Sequence, residues 1–322
     1  MKKNKKILII RFSSIGDLVL TTPVIRCLKE QSGAEVHFIT KNIFADVLQN
    51  NPYLDKLITF THDIDEVEEE LKLEEYDILI DLHNNLRSLR LRKKLGVKTQ
   101  VFNKINFRKL LAVNLKMLQV LPPTHIVERY LYTLKNLGVK NDGKGLDFFL
   151  SEKDTVSFPQ GTFTSLVVGG SYFTKKIPLP KLNEICEMIP HPIVLIGSAE
   201  DGADLMRLTE KHHHLINACG KYSIGQSAFV IKQAAQVITS DTGMMHIASA
   251  FKKKIFSLWG NTIPEFGMSP YLPHPESKIL EVKNLNCRPC SKLGYQKCPK
   301  SHFKCMLDID LKSAGFDLTN NL

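Results

Sequence analysis

Short apolar runs alternate with amphipathic stretches along most of this chain. In the first half, Ile7–Phe12, Glu35–Thr40, Lys56–Phe60, Tyr76–Leu82 and Val97–Phe102 have the length and composition of strands. Apolar residues at helical spacing mark Pro23–Lys29, Ile64–Leu73, Ile105–Leu121 and Ile126–Leu137, between or after those runs. Thr22-Pro23 predicts an N-cap followed by a first-turn proline. Strands alternating with helices predict a parallel sheet covered on both faces. A polar stretch at Ser151–Gly161, containing Pro159, interrupts the alternation and reads as a linker. The pattern then restarts. Ser165–Val168, Ile193–Ile196, Leu215–Asn217, Val237–Thr239 and Ile255–Leu258 are strand-like, and Leu179–Ile189, Asp201–Lys211, Gly225–Ala235 and Met244–Phe251 are helical. The fold class expected is α/β, with two doubly wound domains at 1–155 and 156–322 and a last helix returning to the first. Ligands are expected at the carboxyl ends of the strands, where open α/β sheets bind them.

A chain of 322 residues, 43% apolar and 24% charged, suits a globular protein of two such domains. No apolar run approaches the roughly 18 residues that span a bilayer. Met1–Lys6 precedes an apolar run as in a secretory leader, but Arg11 and Ser13-Ser14 cut that run short, so it is read as a strand and the protein is expected in the cytoplasm. The net charge of +10 is unevenly placed. Between His83 and Lys144 fourteen lysines and arginines stand against Glu128 and Asp142 alone, which is either a solvated face or a surface for an anionic partner. Nucleic acid is disfavoured as that partner, because the stretch holds no recognition-helix, aromatic-platform or zinc-finger pattern.

Three strand exits carry candidate chemistry. Ser240-Asp241-Thr242-Gly243-Met244-Met245-His246 reads as a strand turning directly into a helix, which leaves the N–H groups of Thr242, Gly243 and Met244 at the positive end of the helix dipole. Such a terminus either binds a phosphate or diphosphate or is an ordinary junction capped by Asp241 or Thr242. Gly169-Gly170-Ser171, followed by Lys175, is a second phosphate-binding candidate whose spacing is neither a P-loop nor a dinucleotide fingerprint. Glu200, after the strand ending at Ile196, is placed either to take ribose hydroxyls or to open a surface helix. In the first half, Arg11-Phe12-Ser13-Ser14-Ile15-Gly16-Asp17 leaves the first strand. Asp17 is either a general base or a helix cap, and the hydroxyls of Ser13 and Ser14 either bind substrate or close the turn that Gly16 permits. Of the seven cysteines, Cys287, Cys290, Cys298 and Cys305, with His302 nearby, suggest either zinc ligation or packed thiols; Cys27, Cys186 and Cys219 read as core.

Taken together, Ile7–Pro23, Asp81–Ser88, Gly169–Pro178, Val194–Asp201, Cys219–Pro270 and the Cys-rich tail ending Lys304-Cys305-Met306 resemble the ADP-heptose:lipopolysaccharide heptosyltransferase family, glycosyltransferase family 9. Departures from the commoner pattern fall at Ile177 and at Trp259-Gly260-Asn261-Thr262. The resemblance implies a GT-B fold, two Rossmann-like domains facing a cleft, and inverting transfer of heptose from an ADP-sugar to a Kdo-lipid A type acceptor. It implies Asp17 as catalytic base and Lys175 as counter-ion to the leaving diphosphate. Ser171, Glu200, Asp241, Thr242, Gly243, Met244 and His246 fall on the donor side, and Ser13, Ser14, Gly16, Asn85, Arg87 and Arg90 on the acceptor side. No cofactor is required by that chemistry, with zinc in the cysteine cluster as an addition. The basic segment would face the acceptor and the inner leaflet as a peripheral contact. The alternatives are a family member moving another nucleotide-activated sugar to another envelope glycan, a GT-B-like sugar-nucleotide epimerase, and a zinc-bearing nucleic-acid-binding protein.

Overall fold

Two parallel sheets form where the apolar runs lie. The computed structural model describes residues 5–158, 161–316 and 318. The first sheet contains β1 (Lys6–Ile10), β2 (Glu35–Lys41), β3 (Lys56–Phe60), β4 (Ile78–Asp81) and β5 (Thr99–Val101), in the order β3-β2-β1-β4-β5. The second contains β6 (Thr164–Val167), β7 (Ile193–Ile196), β8 (Leu215–Asn217), β9 (Gln236–Ser240), β10 (Lys254–Trp259) and β11 (Lys278–Glu281), in the order β11-β10-β9-β6-β7-β8. The pairings are parallel, with registers such as Ile7↔Val36 and Leu166↔Ile238. Each sheet belongs to its own compact unit. One unit comprises 1–105 and 124–149, and the other 106–123 and 150–322.

Burial explains why these strands carry continuous apolar runs. Along β7, Ile193 and Leu195 enter one core layer while Val194 and Ile196 enter the layer on the opposite face. Successive side chains of a strand point to opposite faces, so a sheet covered on both sides has no polar alternation to show. In the first sheet Leu8 and Ile10 pack with Phe12, Ile39, Ile58 and Leu79.

Several elements differ from the sequence expectation. The helix Leu86–Leu95 was not anticipated, because five Arg and Lys interrupt its leucines; its Asn85 cap and the left-handed Gly96 (φ 64°) mark its ends. A short helix at Ile15–Val19 and the edge strand β11, with Leu280 its one buried residue, also escaped the pattern. The cap before Pro23 is Thr21 rather than Thr22, and both hydroxyls donate backwards, to Leu18 O at 2.6 Å and Val19 O at 2.8 Å. The expected helix over 201–211 is two, Ala199–Asp204 and Met206–Lys211.

Residues 159 and 160 of the expected linker lie outside the described residues. Its described part is packed rather than loose. The N–H and Oγ of Ser151 donate to Asp154 Oδ2 at 2.7 and 2.9 Å, and Asp154 lies so close to Gly225 that a Cβ there would meet Oδ1 at 2.0 Å. The ring of Phe158 stacks near Phe163 and Phe229. Division therefore falls after Phe149, and Asn106–Pro123 joins the second unit through Ala112 and Leu121, which pack on Ile263 and Phe266. Cys305, Met306, Ile309, Leu311, Ala314 and Phe316 fill the second core. The end of the chain, where a returning helix was expected, falls at 317 and 319–322, outside the described residues. No helix among the described residues is long and apolar enough to cross a membrane.

Candidate active site

In the first unit the strand order reverses between β1 and β4, and such a switch point opens a crevice at the carboxyl ends of the two strands. The loops after β1 and β4 meet there through Arg11. Its Nη1 donates to Leu82 O at 2.7 Å, its Nε to Ser13 O at 2.7 Å, and its Nη2 pairs with Asp17 Oδ1 at 2.7 Å. The other Asp17 oxygen accepts from Ser14 Oγ at 3.1 Å and Ser14 N–H at 3.4 Å. Asp17 thus caps its helix and also stands, paired, at the switch point. Burial works to raise its carboxyl, but Arg11 and the Ser14 donors outweigh that and hold it below the usual carboxylate range. At neutral pH it is an ionised, oriented acceptor of protons.

Around this pair the loop after β4 is shaped by buried Asp81, whose Oδ1 accepts from the N–H groups of His83 (2.9 Å) and Asn84 (2.7 Å). That turn sets His83 against the Phe12 ring, 5.0 Å between centroids. Burial, and then the charges of Arg11, Lys104 and Arg87, push the His83 imidazole down to about 3, so it is neutral. The remaining acceptor-side residues divide. Gly16 is buried in the helix Ile15–Val19, Ser13 and Ser14 directly precede that helix, and Arg87 is exposed. Asn85 uses its Oδ1 to cap Leu86–Leu95, accepting from Ser88 N–H at 2.9 Å. Arg90 is drawn to Asp63 and Asp65 on the helix exterior.

In the second unit the switch point falls between β6 and β9, and the segments after them carry most of the residues expected on the donor side. Lys175, closing the turn Phe173–Lys175, pairs its Nζ with Asp241 Oδ2 at 2.6 Å, and Thr262 Oγ1 donates to the same oxygen at 2.9 Å. Three loops, after β6, β9 and β10, therefore converge on one carboxylate. The helix Gly243–Ala250 begins here with Thr242 as its extended cap residue, whose side chain makes no capping hydrogen bond. Thr242 instead shares a hydrogen bond with Thr239 Oγ1 at 3.1 Å. With Asp241 committed to Lys175 and Thr262, the first-turn N–H groups of Gly243 and Met244 retain their capacity for an anion. His246 is buried one turn along. Ser171 is exposed on the loop after β6, and Glu200 is exposed in the first turn of the helix Ala199–Asp204. Gly169 has a packing reason, since a Cβ there would meet Asp201 Oδ2 at 2.9 Å, and Asp201 is itself paired with Lys176 at 2.5 Å.

Residues 64–298 match the family model described as glycosyltransferase family 9 (heptosyltransferase). The chain belongs to glycosyltransferase family 9. It is 23% identical over 288 residues to lipopolysaccharide heptosyltransferase 1 of Campylobacter coli, covering 80% of this chain and 84% of that one. Its fold is similar to the structure of E. coli ADP-heptose LPS heptosyltransferase II, with a TM-score of 0.68, 18% identity and coverage of 94% and 98% of the two chains. It is also similar to E. coli heptosyltransferase WaaC with ADP-2-deoxy-2-fluoro heptose, with a TM-score of 0.62, 19% identity and coverage of 80% and 90%. The family read from the motifs is borne out, as is the GT-B fold class, and this chain is a glycosyltransferase.

The zinc expectation is not supported by the geometry of this family 9 enzyme. Among the described residues, no three of the cysteine and histidine donors lie within 4.8 Å of one another. Cys287 Sγ lies 4.0 Å from His302 Nε2, Cys290 Sγ donates to Cys287 O at 2.9 Å, and Cys305 is sunk in the core, with its thiol pushed up to about 12 by burial. The group that does converge, Glu35, His37 and Glu74, is already occupied by Lys6, Lys56 and Tyr76. The basic segment is divided between the two units, and some of its charges are paired. Its 106–123 portion belongs to the second unit, Arg90 and Lys94 are paired with acids, and Lys116 donates to the carbonyls of Cys287 and Pro289.

Residues that the sequence did not single out complete both half-sites. Arg11 organises the first. Thr262, Asn261 and Arg288 belong to the second. Asn261 is 1% exposed, and among the described residues neither end of its amide has a hydrogen-bond partner, nor does the buried Ser240 Oγ. Arg288 donates to Gly260 O (2.6 Å), Val282 O (2.6 Å) and Thr262 O (3.0 Å) and pairs with Glu281. Only the odd tetrapeptide Trp259–Thr262 hinted at this loop.

Proposed function

We propose that the enzyme transfers heptose from ADP-heptose, with inversion, to the Kdo-lipid A region of lipopolysaccharide on the cytoplasmic side of the inner membrane. The observation that carries this reading is the Lys175–Asp241–Thr262 cluster beside an uncapped helix terminus at the switch point. A cation and first-turn N–H groups suit a departing diphosphate and need no metal. Asp17 takes the acceptor hydroxyl's proton as that oxygen bonds the anomeric carbon. The bond from that carbon to the diphosphate oxygen breaks, and ADP leaves. A single displacement inverts the centre. Asp241 is assigned to the sugar hydroxyls, Glu200 to the ribose, and Ser171, Met244 and His246 to the rest of the donor pocket.

Membrane contact is assigned to the helix Asn106–Asn114, on which Phe107 is 71% exposed beside Arg108. A donor carrying another sugar is the second reading, and what favours it is Asn261, whose buried amide has no hydrogen-bond partner among the described residues. The test is a transfer assay with ADP-heptose and Kdo-lipid A, compared with other ADP-sugars. Asp17→Asn is expected to keep ADP affinity and lose at least about a hundredfold in kcat. Full-rate transfer by folded Asp17→Asn refutes the base assignment, and turnover of another ADP-sugar in preference to ADP-heptose refutes the donor.

A further inference from the structure

Tyr130 lies on the helix Ile126–Leu131, far in sequence from either strand of the first switch point. Its side chain is wholly buried, 0% exposed, with its ring edge-on to Phe102 at 4.6 Å and 5.9 Å from the Arg11 guanidinium. Among the described residues its hydroxyl has no hydrogen-bond partner of ordinary geometry. A buried hydroxyl without a partner is a net cost to folding, and phenylalanine would fill the same volume without it. The hydroxyl nevertheless lies within reach of charge. Burial first, then Asp17 against the opposing Arg11 and Arg129, keeps the phenol protonated well above its ordinary range. It is therefore a permanent donor beside the carboxylate that the proposed reaction uses.

We propose that Tyr130 is a positioning residue for Asp17, its hydroxyl donating to the carboxylate oxygen that Arg11 holds, so that the other oxygen is turned to the acceptor hydroxyl. This rests on the reading of Asp17 as the base. In this structure the second oxygen is taken by Ser14 through a long pair of contacts, 3.1 and 3.4 Å, which an acceptor hydroxyl can displace. Once Ser14 lets go, Arg11 alone fixes the carboxylate by one contact and leaves it free to pivot. A second donor on the same oxygen removes that freedom. The groups facing this cluster are Arg11 on the β1 exit, Arg129 on Tyr130's own helix, Asp81 at the end of β4, and His83, Arg87 and Lys104 beyond it. His83 stays neutral through the working range.

The experiment is Tyr130→Phe, with melting temperature, donor KM, kcat and the pH profile of kcat measured on ADP-heptose and Kdo-lipid A, alongside Asp17→Asn. The variant is expected to melt at or above the parent's temperature and to keep the donor KM. Its kcat is expected to fall roughly ten- to a hundredfold. Loss of one donor to the carboxylate should also move the acidic limb of the profile upward, by about one pH unit. Parental kcat and an unmoved limb overturn the proposal. So does a loss of activity that tracks a lowered melting temperature while the limb stays put, which is the mark of a structural tyrosine. If Asp17→Asn transfers at full rate, the base reading itself fails and Tyr130's role goes with it. An inactive Asp17→Asn beside a parental Tyr130→Phe removes Tyr130 alone.

Discussion

Replacing Lys175 with alanine removes the cation from a carboxylate that three loops share. Lys175 Nζ and Asp241 Oδ2 are 2.6 Å apart, with side chains 18% and 10% exposed, and the same oxygen accepts from Thr262. Two effects on a bound diphosphate then act in one direction. Its attraction to the ammonium is lost, and the Asp241 charge is left to repel it. A unit pair about 4 Å apart interacts by roughly 4 kcal/mol at an effective dielectric of 20. Partial solvent access at Lys175 and the helix terminus, worth up to about 2 kcal/mol, soften the loss. A net weakening of about 2–4 kcal/mol is expected, or roughly 30- to 1,000-fold in the ADP dissociation constant.

Isothermal titration with ADP at about 0.1 M salt, where the Debye length is near 10 Å, reads the effect directly. The double variant Lys175→Ala/Asp241→Asn supplies the sharper comparison. If Asp241 becomes repulsive once Lys175 is gone, neutralising it should restore about tenfold of the lost affinity, a coupling of ~1.4 kcal/mol. An ADP affinity within twofold of the parent in Lys175→Ala would show that the diphosphate does not bind at this cluster. A double variant no better than the single would show that the ion pair is not the link.

Other consequences follow from the packing and the charges. Gly169→Ala should lower stability by about 1–3 kcal/mol, because its Cβ meets Asp201 Oδ2 at 2.9 Å, whereas Gly170→Ala, with its nearest neighbour at 3.5 Å, should be near neutral in thermal melts. Arg26, 1% exposed, pairs with Asp142 at 2.7 Å, with Asp147, and donates to Gly145 O at 2.8 Å. Arg26→Met therefore leaves two acids without their counter-ion and should cost about 3–5 kcal/mol in urea unfolding. Arg26 holds the Asp142 carboxyl down at about 2, below its unfolded value. That contribution is complete above about pH 4 and lost as the pH falls toward 2, so Arg26→Met should flatten the acid limb of stability against pH; an unchanged slope there counts against the network.

The fold was legible because its signals are local. A strand buried on both faces, such as Ile193–Ile196, is apolar at each position whatever its neighbours are. Elements whose apolar side is narrow were not: Leu86–Leu95 buries only Ser88 and Leu91, so its basic residues dominate the pattern. The candidate sites divide by the same logic. Asp17, Lys175 and Asp241 each leave a strand at a glycine-bearing exit, and strand exits are where open sheets bind ligands. Tyr130 and Arg288 gave no such signal, because their roles depend on neighbours that the chain brings from 119 and 26 to 28 residues away. The basic count was ambiguous for a related reason. Composition cannot tell a charge that faces solvent from Lys94, matched to Asp65 at 2.7 Å, or from Lys116, spent on carbonyls.

The cysteine-rich tail acquires a physical role by the same reasoning, although its thiols do not converge on an ion. Arg288 reaches the carbonyls on both sides of Asn261 while pairing with Glu281 on β11, so the loop after β10 is held from outside the sheet. The loop after β6 is held in parallel. Thr174 N–H donates to Tyr295 O at 3.1 Å, and Tyr295 N–H returns a bond to Thr174 Oγ1 at 2.8 Å. These are the loops that present Thr262 and Lys175 to Asp241. A loop carries a charged side chain accurately only when its own backbone is fixed. Residues 288 and 295 supply that fixation, one through a guanidinium that a lysine's single ammonium cannot imitate, the other through a reciprocal backbone clasp.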